Sequence, residues 1–236
     1  MSVNVDTVYQ RVLAITNKEQ RGYVTPQEFN LFANQAQMDI FEQYFYDINQ
    51  FGRVKGNDTE YSDMLSILDE KLSFFEKTAD LSQSGIYLVL PADLYRLGTV
   101  ILELPSKTPV EAEYIQKNTF LIISKSPLTA PTDLYPVYTR DTGGIKIHST
   151  TIPNAGAGEV HCTYTKAPSE VKWGYTIIND QALYNASTST QFDVHESEET
   201  DLVIKILALA GILLQDPGMY QIAAAEDGKN TQQEKQ

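Results

Sequence analysis

Apolar positions recur along this chain with three different spacings. Over the first third the spacing is helical. Val5, Val8, Tyr9, Val12 and Ile15 mark a first helix, with Gly22 as its stop. Phe29, Phe32, Ala33, Ala36, Ile40, Phe41, Tyr44, Phe45 and Ile48 form the wide stripe of a long second helix. Phe51 to Asp58 reads as a loop. Asp58 or Thr59 caps a third helix, whose Tyr61, Met64, Leu65, Leu68, Leu72 and Phe75 share one face. The second helix has a strongly specified start. Thr25-Pro26-Gln27-Glu28 is a capping box: Thr25 accepts from the amide of Glu28, and Glu28 reaches back to the amide of Thr25. Pro26 takes the first helical position, where no amide is missed, and Val24 and Phe29 are placed as a hydrophobic staple.

From Gly85 to about Tyr175 prolines and β-branched residues punctuate the chain. Ile86–Leu90, Thr99–Leu104, Val110–Ile115, Gly144–His148 and Glu159–Thr165 read as short strands, with a hairpin turn at Asp141-Thr-Gly143-Gly144. Pro91 to Arg96 is expected to make one helical turn, and Lys117 to Ser124 reads as either a strand or a short helix, with helix favoured. Helical spacing then returns. Ser197 is the expected cap, with Glu198, Glu199 and Asp201 in the first turn, where the helix dipole favours acids. Residues Leu202 to Leu214 are apolar nearly all round, Asp216-Pro217-Gly218 breaks the helix, and a further segment runs from Met219 to about Gly228.

The fold class expected from this order is α+β. N- and C-terminal helices form a helical bundle with an inserted antiparallel β-rich lobe, divided as 1–84, 85–180 and 181–236. An all-round apolar helix needs neighbours on every side, within its own bundle or on other subunits. The candidate interface residues are therefore Leu209, Ile212 and Leu213 on that helix, and Met219, Tyr220 and Ile222 beyond it.

Composition narrows the function classes. The chain has 236 residues, 42% of them hydrophobic and 21% charged, as in ordinary globular domains. Its beginning has neither a basic start nor an apolar core, so no signal peptide is expected. The longest apolar run is too short to span a bilayer, so no membrane partner is expected. One cysteine, Cys162, excludes an internal disulfide and suits a reducing compartment. The net charge of −13 disfavours gripping phosphates, because nucleic-acid binding depends on cationic side chains. An acidic wall would instead let DNA slide past.

Candidate chemistry is sparse. His148, His161 and His195 have no companions at metal-ligand spacing, and His161 and Cys162 point to opposite faces of one strand. Glu111 and Glu113 share a strand face, where solvated carboxylates are the simplest reading. Asp47 to Asp58 approaches a calcium loop, but Phe51 offers no oxygen at the fifth position and Asp58 replaces the bidentate Glu. No phosphate-cradling glycine loop or nucleophile elbow is present. These readings give no catalytic residue, no cofactor and no metal, and so no enzyme.

Several motifs carry a resemblance. They are Asn17-Lys-Glu-Gln-Arg-Gly22-Tyr, Thr25-Pro-Gln-Glu-Phe29-Asn and Ala33-Asn-Gln-Ala-Gln37-Met-Asp-Ile-Phe41-Glu-Gln-Tyr-Phe45, then Leu90-Pro-Ala-Asp-Leu-Tyr-Arg96, Ser126-Pro-Leu-Thr-Ala-Pro131 and Pro136-Val-Tyr. Tyr164-Thr-Lys-Ala-Pro168, Lys172-Trp173-Gly-Tyr175 and Lys205-Ile-Leu-Ala-Leu-Ala-Gly211-Ile follow. As a set they resemble head-to-tail connector proteins, adaptors or rings, of short-tailed crAss-like bacteriophages. The resemblance implies a structural virion protein of the neck, made in the host bacterial cytoplasm. It implies a homo-oligomeric ring, a dodecamer, stacked on the portal protein and on other ring or tail proteins, with DNA passing through the lumen unbound. The segment from Met219 is then expected to dock on the portal. Two other classes remain open at this point: a receptor- or carbohydrate-binding tail module, suggested by fourteen tyrosines, and a virion-associated hydrolase.

Overall fold

The computed structural model describes residues 2–18, 24–51, 59–105, 107–151, 159–179 and 181–213, together with 225, 228 and 229. Helix α1 (Val5–Lys18) starts on Asn4, whose Oδ1 accepts from the amides of Asp6 at 2.8 Å and Thr7 at 3.3 Å. Helix α2 (Pro26–Phe51) starts on the capping box. The Thr25 amide donates to Glu28 Oε2 at 2.9 Å, and the Glu28 amide donates to Thr25 Oγ1 at 3.3 Å. Val24 and Phe29 are both buried beside it. Helix α3 spans Thr59–Ser73.

Two compact units divide the chain. One comprises Met1–Phe74 with Pro168–Gln236, and the other comprises Phe75–Ala167. In the first, α2 packs against α3 and α5 (Glu199–Leu213), and α1 packs against α5. Its core holds Val5, Val8, Val12, Phe29, Phe41 and Ile206, all fully buried. Helix α5 buries Leu202, Val203, Ile206, Leu207 and Ala210, a single stripe, and leaves Ile204 and Leu209 half-buried.

The second unit is dominated by one sheet. Its strands are β1 (Glu76–Asp80), β2 (Ser82–Ser84), β3 (Tyr87–Val89), β4 (Leu94–Leu102), β5 (Val110–Tyr114), β6 (Val137–Asp141), β7 (Gly144–His148) and β8 (Val160–Lys166). They lie in the order β1-β8-β4-β5-β6-β7-β3-β2. All neighbours are antiparallel except the β5–β6 pair, which is parallel. The first and last members of that order are one continuous stretch of chain. Only Leu81 separates β1 from β2, and its amide donates to the Val160 carbonyl at 2.9 Å. The sheet therefore wraps into a nearly closed barrel. Leu81, Val100, Leu102, Ile145, Val160 and Cys162 are in its core.

This arrangement overturns the expected helical bundle with an inserted antiparallel β-rich lobe. The β residues form a barrel-like sheet with its own core and a parallel pair, not a set of hairpins let into a bundle. The helices are not a plain bundle either. Residues 168–179 and 181–198 run beside them as extended segments, a two-stranded pair β9 (Tyr175–Ile178) and β10 (Gln181–Tyr184), and 3₁₀ turns at Ala186–Thr188 and Glu196–Glu198. The reason lies partly in β1 and β2. Glu76-Lys-Thr-Ala-Asp-Leu-Ser-Gln-Ser84 has too few apolar residues to announce a strand, although it closes the sheet.

Smaller corrections follow. Pro91 to Asp93 form a tight turn, with the Leu94 amide donating to the Pro91 carbonyl at 3.2 Å, and Leu94, Tyr95 and Arg96 already belong to β4. Ser197 sits inside a 3₁₀ turn capped by His195, and α5 begins only at Glu199. Gly22, Asp58 and the stretch Asp216–Gly218 lie outside the described residues.

Candidate interaction surface

Helix α4 (Lys117–Ile123) follows β5 and leads into the turn-rich segment up to Tyr135. Helix α4 has seven residues, and four consecutive ones, Phe120 to Ile123, are apolar. A helix that short cannot turn four successive side chains to one face. Phe120 goes inward and stacks on His148 of β7, with ring centroids 3.7 Å apart. Leu121 and Ile122 are left outside, 58% and 71% exposed. Leu128, Leu134 and Tyr135 continue the exposure at 94%, 66% and 78%. Five large apolar side chains within the one segment Leu121–Tyr135, called the ledge below, are thus exposed.

The ledge is held firmly. Lys117 Nζ meets Asp141 Oδ2 at 2.8 Å, which joins α4 to the end of β6 and holds the Asp141 carboxyl below its ordinary range. Thr129 Oγ1 donates to the Ile123 carbonyl at 2.9 Å, and the Ala130 amide donates to the Ser126 carbonyl at 2.9 Å. At the far end Asp133 accepts from Lys107 Nζ at 2.6 Å, from the Thr151 amide at 2.7 Å and from Thr151 Oγ1 at 2.8 Å. Those donors, Lys107 foremost, lower its carboxyl to about 2. Burial, helped by Lys146, lowers the pKa of His148, which favours a neutral ring beneath Phe120. A surface fixed this way loses little freedom when a partner covers it.

A second apolar surface lies in the other unit, where α1 meets α5. A groove of about 360 Å³ is lined by Arg11, Ala14, Ile15, Val203, Ile204 and Leu207. Ile15 is 44% exposed there. Arg11 bonds Glu199 at 2.9 Å at the start of α5.

The interface residues expected from sequence fall differently. Leu209 is half-buried on α5, and Ile212 and Leu213 lie in its last turn. Met219, Tyr220 and Ile222 lie outside the described residues. The groove uses Val203, Ile204 and Leu207 of the same helix instead. The ledge was not anticipated at all, although an apolar run in so short a helix was its signal.

The candidate chemical groups are placed as follows. His161 is half-buried, with Nδ1 2.6 Å from Asp80 Oδ1 and Nε2 3.3 Å from Glu103 Oε2, while Cys162 beside it faces the core. Burial raises the Cys162 thiol above its ordinary range. Glu111 and Glu113 are exposed on either side of buried Ala112. His195 accepts the Ser197 amide at 3.2 Å and packs edge-on against Phe74. Asp47 and Asn49 lie within α2, and 52–58 of the calcium-loop-like segment lies outside the described residues. Trp173 is buried among Tyr9, Tyr175 and Tyr184 and offers no open stacking face. Among the described residues no three His, Cys, Asp or Glu side chains converge as metal ligands, and no helix is long and apolar enough to cross a membrane.

Compared with models of known protein families and with curated proteins, the chain matches none.

Proposed function

We propose that this chain is a structural subunit of a phage neck, one member of a homo-oligomeric ring between portal and tail. The observation that carries the reading is the ledge. Five large apolar side chains, each more than half exposed and held on a braced segment, form a surface suited to burial by a protein partner. The α1–α5 groove is a second apolar surface of different shape. Two unlike patches are what a head-to-tail contact requires, and head-to-tail contacts close into rings when the rotation allows. The motif resemblance to connector proteins points to the same assembly. The acidic balance of −13 suits a lumen through which DNA slides without being held.

The test is electron microscopy and sedimentation of the purified chain, alone and mixed with portal protein. Closed rings, free or seated on the portal, support the reading. A chain that stays monomeric in both conditions overturns it.

A further inference from the structure

We propose that His161 is a pH-responsive clasp, which ties β1 and β4 together across β8 and tightens the closing edge of the barrel-like sheet when its imidazole is charged. The imidazole sits between two carboxylates. Its Nδ1 lies 2.6 Å from Asp80 Oδ1 on β1, and its Nε2 lies 3.3 Å from Glu103 Oε2, just past the end of β4. A carboxylate only accepts, and a neutral imidazole has a single N–H to give. In the neutral form one nitrogen therefore turns its lone pair toward carboxylate oxygen. The charged form presents an N–H to each acid at once.

The strand register puts acids on every side of it. Asp80 pairs with His161, His161 with Ile101, and Ile101 with Glu111, a row across β1, β8, β4 and β5. Directly paired residues share a face, and this row lies opposite the core face of Val160 and Cys162. Glu159 precedes β8 on the same face, and its carbonyl accepts the Glu103 amide at 2.8 Å. Asp80, Glu103, Glu111 and Glu159 are thus the charged groups on these strands nearest His161, and neither Lys nor Arg stands among these positions. The location gives the clasp its effect. Strand β1 ends the strand order, with β8 as its one neighbour among the described residues, and continues through Leu81 into β2 at the opposite end. What holds β1 on β8 holds the closure. The contribution is present while His161 is charged and is lost as pH rises and the proton leaves. The clasp belongs to the single chain and does not depend on assembly with other copies.

Amide exchange of the full chain tests this. Protection of the β1 and β8 amides is compared between the native chain and His161→Gln at pH 8 and at pH 5.5, so that the other histidines, common to both, cancel. Asp80 and Glu103 are exposed, and exposed ion pairs contribute little. The advantage of the native chain should therefore grow about two- to fivefold on acidification. Glu103→Gln keeps the Asp80 bond and removes the second acid, so it should lose much of that growth. An advantage equal at both pH values, or full growth in Glu103→Gln, overturns the clasp. A second measurement needs no variant. In the native chain, nitrogen NMR follows the His161 imidazole while carbon NMR follows the Asp80 and Glu103 carboxyl groups over the same pH range. Both carboxyl signals should move together with the imidazole. A Glu103 signal that does not follow it overturns the clasp as well.

Discussion

Asn34, on α2, makes both backbone hydrogen bonds of Val171, far away in sequence: its Oδ1 accepts the Val171 amide at 2.8 Å and its Nδ2 donates to the Val171 carbonyl at 2.9 Å. The same device repeats along the helix. Asn30 accepts the Trp173 amide at 2.7 Å and donates to the Trp173 carbonyl at 3.4 Å. Gln37 donates to the Ser169 carbonyl at 2.9 Å and accepts the Asp193 amide at 2.8 Å. Residues at i, i+4 and i+7 of a helix share a face, and alternate residues of an extended segment share an edge. Three primary amides thereby act as a substitute strand for Ser169, Val171 and Trp173. Two motif sets far apart in the sequence, Thr25–Asn30 and Lys172–Tyr175, are tied together by the Asn30–Trp173 bonds.

Asn34→Ala should orphan the amide and carbonyl of Val171, a residue only 1% exposed. Each buried group left unpaired costs about 1 to 3 kcal/mol, so a loss of at least about 2 kcal/mol is expected in urea unfolding. Asn34→Asp should not rescue it, because a carboxylate cannot donate to the Val171 carbonyl. An Asn34→Asp variant as stable as the native chain would refute the ladder.

Thr25→Ala should cost about 1 kcal/mol by removing the α2 cap. It should also change the response to acid. The Thr25 hydroxyl and amide hold the Glu28 carboxyl below its ordinary 4.5. A carboxyl lowered by folding adds stability that is present above its unfolded value and is lost as pH falls through its folded one. Thr25→Ala should therefore lose less stability than the native chain between pH 5 and pH 3, compared by urea unfolding at each pH.

How much of this was legible in the sequence follows from where each signal lies. The α2 start was fully legible, because a capping box involves only neighbouring residues. Strand β7 was legible as Gly144–His148, since its turn residues flank it. Strand β1 was not, because its pairing with β8, not its own composition, makes it a strand. The start of α5 was displaced from Ser197 because Glu198 is drawn inward by Lys71, a residue from another helix. The ledge was hidden for a related reason. The sequence leaves Lys117–Ser124 between strand and short helix, and only the sheet beneath it determines that Phe120 goes inward while Leu121 and Ile122 stay out.

Asp133 should titrate at about 2 in the folded chain, against an ordinary 3.8. Its contribution to stability is complete above pH 3.8 and fades as pH falls toward 2. Lys107→Ala removes the first of its donors and should move the carboxyl back toward 3.8, read by NMR titration of the carboxyl carbon. A value unchanged by Lys107→Ala would assign the shift to Thr151 alone.

Gly144→Ala should destabilise the barrel-like sheet by more than about 1 kcal/mol. Gly144 has φ +126°, which side-chain-bearing residues rarely adopt, and an added Cβ would lie 2.2 Å from the Leu88 carbonyl oxygen. That carbonyl belongs to β3, which pairs with β7 at Leu88 and Ile145. The loss should therefore appear as faster amide exchange in β3 as well as in the turn. An exchange change confined to Thr142 and Gly143 would mean that the β3 contact tolerates the methyl group.

Lys71→Met should be more damaging than the joint removal of its partner. Lys71 Nζ lies 2.6 Å from Glu198 Oε1, and the two side chains are only 16% and 5% exposed. The pair joins α3 to the turn that precedes α5. Breaking such a pair from one side leaves a charge in a place with little water, at a cost of about 3 to 5 kcal/mol. Replacing both partners with apolar residues of similar size removes the stranded charge along with the attraction. Lys71→Met combined with Glu198→Leu should therefore recover most of the loss from Lys71→Met alone, measured by thermal unfolding at pH 7. If the double variant is no more stable than the single one, the ion pair positions α5 through its geometry, and the burial of charge is not the dominant effect.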